Sequence, residues 1–243
     1  MTFNEFIANG FIGHYFPISD SSNMVILIIA ALVTIVAAYL LGSINFAIII
    51  SGKKYKQDIR DHGSKNAGMT NMMRTYGKKA AGFTLLGDAL KAVVSCLIGY
   101  ALLGHLGSYL AGMFCIFGHI FPAYYGFKGG KGVVTTAISI LMCDPIVFLI
   151  LITLFVIIVA FTRYISLGSV ICVMLYPILL DRINHFFTGQ ATPYAVFAMI
   201  IAVLVVVKHW TNIKRLLQGK ESKFSFKKSV KTPAESGENT ENK

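Results

Sequence analysis

Apolar runs separated by short polar stretches occupy most of this chain, at residues 24–44, 80–103, 108–122, 146–161, 167–180 and 194–207. Crossing hydrocarbon takes about 20 helical residues, fewer where flanking residues snorkel or the bilayer thins, so each run reads as a transmembrane helix. A shorter run at 133–142 lies between a glycine–lysine loop and Asp144-Pro145. Proline disfavours helix in the residue before it, so that dipeptide reads as a turn between two helices. Including the short run the chain crosses seven times; omitting it, six.

Basic residues decide between the counts. Lys53, Lys54, Lys56, Arg60, Lys65, Arg74, Lys78 and Lys79 fill the first loop, Lys128 and Lys131 the glycine–lysine loop, Arg163 follows the run at 146–161, and nine more lie from Lys208 onward. With seven crossings and an extracytoplasmic N-terminus, all of these fall on the cytoplasmic side, leaving Arg182 outside and Lys91 within a span. Six crossings would divide them between the two faces, against the positive-inside rule. The expected fold is therefore an all-α integral membrane protein, a seven-transmembrane-helix bundle with its C-terminus cytoplasmic. Residues 1–221 form one membrane domain with cytoplasmic loops at 51–79 and 126–132, and the polar stretch 222–243 reads as a disordered tail.

Composition agrees and narrows the classes. With 55% hydrophobic and 14% charged residues and a mean hydropathy of +0.66, the 243-residue chain is too apolar for a soluble globular domain. The net charge of +11 follows from topology and attraction to anionic lipid headgroups, so it does not call for nucleic acid as a partner. Cys96, Cys115, Cys143 and Cys172 stand singly in apolar segments and read as packing residues. Residues 1–20 lack a basic n-region and carry Glu5, against a cleaved signal peptide. No carboxylate cluster suggests a metal, and no cofactor is expected.

Candidate chemistry concentrates in two loops assigned to one face. Residues 127–136 read Phe-Lys-Gly-Gly-Lys-Gly-Val-Val-Thr-Thr. Glycines let backbone N–H groups crowd an anion, the two lysines add charge, and a helix opening there adds its N-terminal amides and dipole. In the first loop, Gly63-Ser-Lys-Asn-Ala-Gly-Met-Thr has the glycine spacing of a nucleotide P-loop. Met69 stands where that motif requires lysine and no buried strand precedes it, which excludes an NTPase. What remains is a set of neutral donors, Ser64, Asn66, Thr70 and Asn71, with Arg74 as a fork for phosphate. His119 lies near the cytoplasmic end of its span. Asp88 and Lys91, at i, i+3 spacing inside a span, are placed to pair. Trp210 suits an interfacial anchor, and Asn212 and Arg215 can face the same basin.

These residues give the chain its resemblance to the bacterial acyl-phosphate:glycerol-3-phosphate acyltransferases, integral membrane enzymes that make lysophosphatidic acid. The resemblance covers roughly residues 39–221. It rests on Gly42-Ser43-Ile44, Asp58-Ile59-Arg60 and Gly63-Ser64-x-Asn66-x-Gly68-x-Thr70-Asn71-x-x-Arg74, then on His119-x-x-Pro122 with Phe127-Lys128-Gly129-Gly130-Lys131-Gly132-Val133. Arg163-Tyr164-x-Ser166-Leu167-x-Ser169 and His209-x-x-Asn212-Ile213-x-Arg215 through Glu221 complete it. The family commonly carries proline at the place of Asn45, glycine at Lys65 and alanine at Met69. The resemblance implies seven helices in the bacterial cytoplasmic membrane, a cytoplasm-facing active site, and acyl phosphate and glycerol 3-phosphate as substrates. A monomer is expected, since one bundle can enclose the site. The expected catalytic set is His119, Lys131 and Ser64. Substrate binding falls to Asn66, Thr70, Asn71, Arg74, Lys128, Gly129, Gly130, Gly132 and Asn212. Either His119 or a substrate phosphate serves as base; the sequence leaves both open. A transporter of a phosphorylated metabolite is the rival, but the loops show no internal repeat.

Overall fold

The computed structural model describes residues 3–16 and 23–224, and every regular element among them is helical. The tail expected at 222–243 lies almost wholly outside them. In chain order the helices are α1 (Phe3–Tyr15), α2 (Met24–Ser43), α3 (Phe46–Tyr55), α4 (Met69–Tyr76), α5 (Lys78–Ile120), α6 (Val133–Cys143), α7 (Pro145–Thr162), α8 (Ile165–Thr188), α9 (Ala195–Lys208) and α10 (Trp210–Leu217).

The 43 residues of α5 would extend about 65 Å if straight, twice the hydrocarbon thickness. Leu103 (φ −129°, ψ 20°) and Gly104 (φ 60°, ψ −143°) break the helix instead. The two limbs, 78–102 and 105–120, then fold back on each other. Glycine makes that approach possible: a β-carbon on Gly99 would lie 2.1 Å from the Gly107 carbonyl oxygen, and one on Gly107 2.0 Å from that of Gly99. Small residues also seat α2 on the second limb, since a β-carbon on Gly42 would meet the Cys115 oxygen at 2.2 Å. Close backbone approach of this kind is how helices associate where surrounding lipid is as apolar as the side chains.

With α5 taken as one element, four helical stretches among the described residues are long and apolar enough to cross a membrane: 24–55, 78–125, 145–162 and 165–188. The pair α9 and α10, bent by 58°, makes a fifth, and α6 is shorter than a span. On α7 only Val147 and Leu151 are fully buried, while Leu149, Val156 and Phe161 stand exposed. A helix apolar nearly all round has lipid as its solvent, and the chain is an integral membrane protein.

The main core fills the space where the second limb of α5 meets α6, α7, α8 and α9, around Ile116, Ile120, Val147, Tyr176 and Val205. A second, smaller core of Ile59, Ala67, Met72 and Ala80 supports the first loop. The turn expected at Asp144-Pro145 separates α6 from α7, and its carboxylate accepts hydrogen bonds from the hydroxyls of Tyr109 (2.5 Å) and Tyr176 (3.3 Å). No apolar run announced α1, which packs against the α5 reversal.

Candidate active site at the loop rim

The first loop is built around Asn71. Its side chain is buried; Nδ2 donates to the carbonyls of Ile59 (3.2 Å), His62 (2.9 Å) and Asn66 (3.0 Å), and Oδ1 accepts from the Ser64 amide at 2.9 Å. Both amide donors are occupied, so Asn71 shapes the loop and has none left for a ligand. Gly63 (φ +57°) must be glycine, because a β-carbon there would fall 2.3 Å from Asn71 Oδ1. Lys65 also adopts a left-handed φ of 60°. Asn45 performs two tasks: Oδ1 caps α3 through the Ile48 amide (3.1 Å), and Nδ2 donates to the Ala67 oxygen (3.3 Å). Around this frame Ser64, Asn66 and Thr70 are half-buried at the rim.

The glycine–lysine loop is held onto the first loop by Arg60. Its Nη1 donates to the carbonyls of Tyr125 (2.8 Å) and Lys128 (3.1 Å), while Nη2 pairs with Asp58 at 2.7 Å. Sequence reasoning left Arg60 out of the site. Hydrogen bonding to Arg60 holds the Asp58 carboxyl below its ordinary range and raises the guanidinium above its own.

The glycines of this loop answer three different demands. Gly129 and Gly130 were expected to offer amides to an anion, but their N–H groups already donate to the Ile120 (3.2 Å) and His119 (3.1 Å) carbonyls. They are glycines because the loop lies directly on His119: β-carbons there would come within 2.1 Å of its carbonyl oxygen and of its Nε2, respectively. Gly132, at φ +80°, starts α6 in the left-handed region. The first α6 ladder bond runs from the Thr136 amide to the Gly132 oxygen (2.8 Å), so the amides of residues 133–135 open toward the loop. The Lys128 side chain is exposed, and its carbonyl belongs to the Arg60 clamp.

Lys131 is the centre of the rim. Its Nζ donates to Asn212 Oδ1. Asn212 Nδ2 donates to Glu221 (2.6 Å), which also accepts from Arg215 Nε (2.8 Å) and Ser166 Oγ (2.8 Å). Burial, helped by Arg215 and Arg74 and opposed by Glu221, pushes the Lys131 ammonium down to about 8. Arg74 from the first loop, Lys131 from the second and Arg215 from α10 thus act on one another electrostatically. Glu221 and Ser166, absent from the expected site, organise this face. Their only sequence signal was membership of the two last motifs.

Below the loop lies a second charged group. Lys91 Nζ, buried in α5, contacts Asp88 Oδ1 (2.9 Å), the carbonyl oxygens of Gly42 (2.9 Å) and Ile44 (2.7 Å), and His119 Nδ1 (3.0 Å). An ammonium only donates, so Nδ1 is the acceptor and the imidazole proton resides on Nε2, facing Gly130.

Immediately past the rim, an apolar groove begins. Val133, Thr136, Ala137 and Ile140 of α6 form one wall, facing Leu151 and Phe155 of α7 and Val173 of α8. The groove thus begins at Val133, two residues after Lys131, and its apolar lining suits an alkyl chain.

A model of the glycerol-3-phosphate acyltransferase family matches residues 32–219. The chain is similar to the glycerol-3-phosphate acyltransferase of Finegoldia magna, 41% identical over 192 residues that cover 78% of this chain and 93% of that protein. It is also similar to that of Clostridioides difficile, 39% identical over 207 residues covering 83% and 98%. In structure it resembles PlsY (YgiH), an integral membrane glycerol 3-phosphate acyltransferase. Against the glycerol 3-phosphate form of that protein the TM-score is 0.72 at 34% identity, covering 80% of this chain and 96% of the other. Against its lysophosphatidic acid form the TM-score is 0.70 at 33% identity, covering 81% and 96%.

Proposed function

The chain belongs to the glycerol-3-phosphate acyltransferase family, and from that premise we propose that it transfers a fatty-acyl group from an acyl phosphate to the sn-1 hydroxyl of glycerol 3-phosphate. The products are lysophosphatidic acid and inorganic phosphate, a step of phospholipid biosynthesis. The observation that carries the donor assignment is the junction of the Lys131 rim with the apolar groove. Such a site accepts a phosphate and an alkyl chain on one molecule.

In this reading Lys131 and the open amides of α6 hold the acyl-phosphate group and stabilise the departing phosphate. Arg74, Asn212, Ser64, Asn66 and Thr70 bring the second phosphate alongside, an orientational contribution to rate. Asn71, Arg60 and Glu221 act by positioning these groups. The mixed anhydride is already activated, so no covalent enzyme intermediate is required. His119 presents an N–H to the loop, which favours a substrate phosphate oxygen as acceptor of the hydroxyl proton. His119 then supports Gly130 and the loop above it.

For topology, the two limbs of α5, the short α6 and the bent α9–α10 pair each count as one crossing. Together with α2–α3, α7 and α8 they make seven. The basic loops then face the cytoplasm of a bacterial inner membrane, and residues 1–221 form a single monomeric domain followed by a polar tail.

The test is product identification with purified protein in lipid mesophase, supplied with palmitoyl phosphate and glycerol 3-phosphate. Lysophosphatidic acid formed from palmitoyl phosphate, and not from palmitoyl-CoA or acyl-carrier protein, is expected. Transfer from the thioesters alone would reject the donor assignment.

A further inference from the structure

Hydroxyl groups on these helices normally bond back to their own backbone. Thr34, Thr84 and Ser95 each donate to the carbonyl four residues earlier, at 2.8, 2.9 and 2.7 Å. Thr136 does not. It is 6% exposed, and its hydroxyl is sealed from solvent with no hydrogen-bond partner among the described residues. The cause is local: the Gly132 oxygen, its ordinary acceptor, already receives the Thr136 amide (2.8 Å) and the Thr135 hydroxyl (2.9 Å). A carbonyl oxygen has two lone pairs, and both are taken.

Two other hydroxyls are similarly orphaned, but neither lies in the groove. Ser139 Oγ faces the helix contact at Gly112, and Thr75 Oγ1 lies under the first loop beside Gly63. Thr136 lines the groove on the same α6 wall as Val133 and Ala137, five residues after Lys131 in the chain. A polar group buried without a partner destabilises the empty protein, and a ligand acceptor relieves it.

We propose that the Thr136 hydroxyl donates a hydrogen bond to the carbonyl oxygen of the acyl donor, an assignment that rests on the acyl-phosphate reading above. Thr136 lies four residues into α6, a rise of about 6 Å from Gly132, and its side chain leans back toward the N-terminus. A phosphate held at that N-terminus places the adjoining carbonyl within the first turn, with the alkyl chain running on past Ala137. When the glycerol oxygen bonds to the carbonyl carbon, the C=O electron pair moves onto the oxygen that Thr136 contacts. Collapse breaks the bond to the bridging phosphate oxygen, and the hydroxyl proton leaves on the phosphate, so no co-reactant is needed. Thr136 thereby selects an acyl chain over an alkyl chain of equal length.

The experiment compares wild type, T136S and T136V in the full-length protein. Two unreactive ligands of equal chain length are used, an alkyl phosphonate and its 2-oxo counterpart, read both by competition with palmitoyl phosphate and by thermal shift. Wild type and T136S are expected to prefer the 2-oxo ligand roughly three- to tenfold, the effect of one hydrogen bond. T136V should lose that preference, keep its affinity for the plain phosphonate, and melt no lower than wild type because the orphan hydroxyl is gone. Its kcat/KM should fall by at least the same factor, since the bond strengthens as the oxygen gains charge. An unchanged 2-oxo preference in T136V would overturn the proposal, as would equal loss of both ligands with a lowered melting temperature. Absence of turnover from palmitoyl phosphate in wild type would instead reject the donor reading, and thermal shift would still decide the role of Thr136.

Discussion

Two charged groups lie on either side of the glycine–lysine loop and are built on opposite principles. In the lower one, Lys91 is surrounded by Asp88, His119 and two carbonyl oxygens, all fixed and buried. In the upper one, the charges acting on Lys131 are two guanidiniums and a single carboxylate. The lower group balances its lysine with a carboxylate and joins α2 to both limbs of α5. The upper group carries excess positive charge under partial burial, a state that a bound dianion relieves. Charge balance goes with architecture here, and charge imbalance with the proposed site.

The sharpest way to break this contrast is to remove each central lysine. K91M leaves Asp88 as a buried charge without its partner, at a cost of about 3–5 kcal/mol. Loss of folded protein on size-exclusion chromatography is the expected result. K131M should leave the fold and melting temperature intact while kcat/KM falls by about 10²–10³, as when one oxyanion donor is removed. If the two variants behaved alike, the division would fail.

Acidity sharpens the same contrast. Burial holds Lys131 down to about 8, below the usual lysine value, so it is mostly charged at pH 7 and its charge is lost as pH rises through 8. The kcat/KM profile, which reports the free enzyme, should therefore fall on the alkaline side around that value. K131R should move this limb upward, since arginine stays charged. Glu221 raises the Lys131 pKa, so E221Q should move it down. A profile indifferent to both substitutions would disconnect Lys131 from turnover.

The smallest effect belongs to the first loop. Lys65 holds φ 60°, where a side chain costs about 1–2 kcal/mol and glycine does not. Part of that gain is offset by the freedom glycine adds to the unfolded chain. K65G should raise the stability of the protein by about 1 kcal/mol at most, measured as a small upward shift of the melting temperature with kcat nearly unchanged.

Much of the bundle was readable because a bilayer demands long apolar stretches. The α5 reversal fell between two predicted runs, the Asp144-Pro145 turn sits where proline forbids helix, and Asp88 pairs with Lys91 as their spacing allows. α1 was missed because its apolar content is too short and mixed to stand out. In the site, glycine content told that backbones come close, but not which way the amides point. Gly129 and Gly130 therefore looked like ligands, while their amides bond to the Ile120 and His119 carbonyls and their backbone lies against His119. Asn71 looked like a donor for the same reason. Glu221 and Ser166 matter only through contacts made from the far end of the chain, which spacing cannot reveal.

That distance has a consequence for biogenesis. Asn212, Arg215 and Glu221 follow the last membrane helix, so they leave the ribosome after everything through α9. A chain cut after Lys208 would keep every helix through α9, yet would lack Asn212, to which Lys131 donates, and Glu221, which ties Asn212 to Arg215 and Ser166. On the proposed reading, the rim is therefore completed only once translation has passed Glu221, after all the long apolar helices have been made.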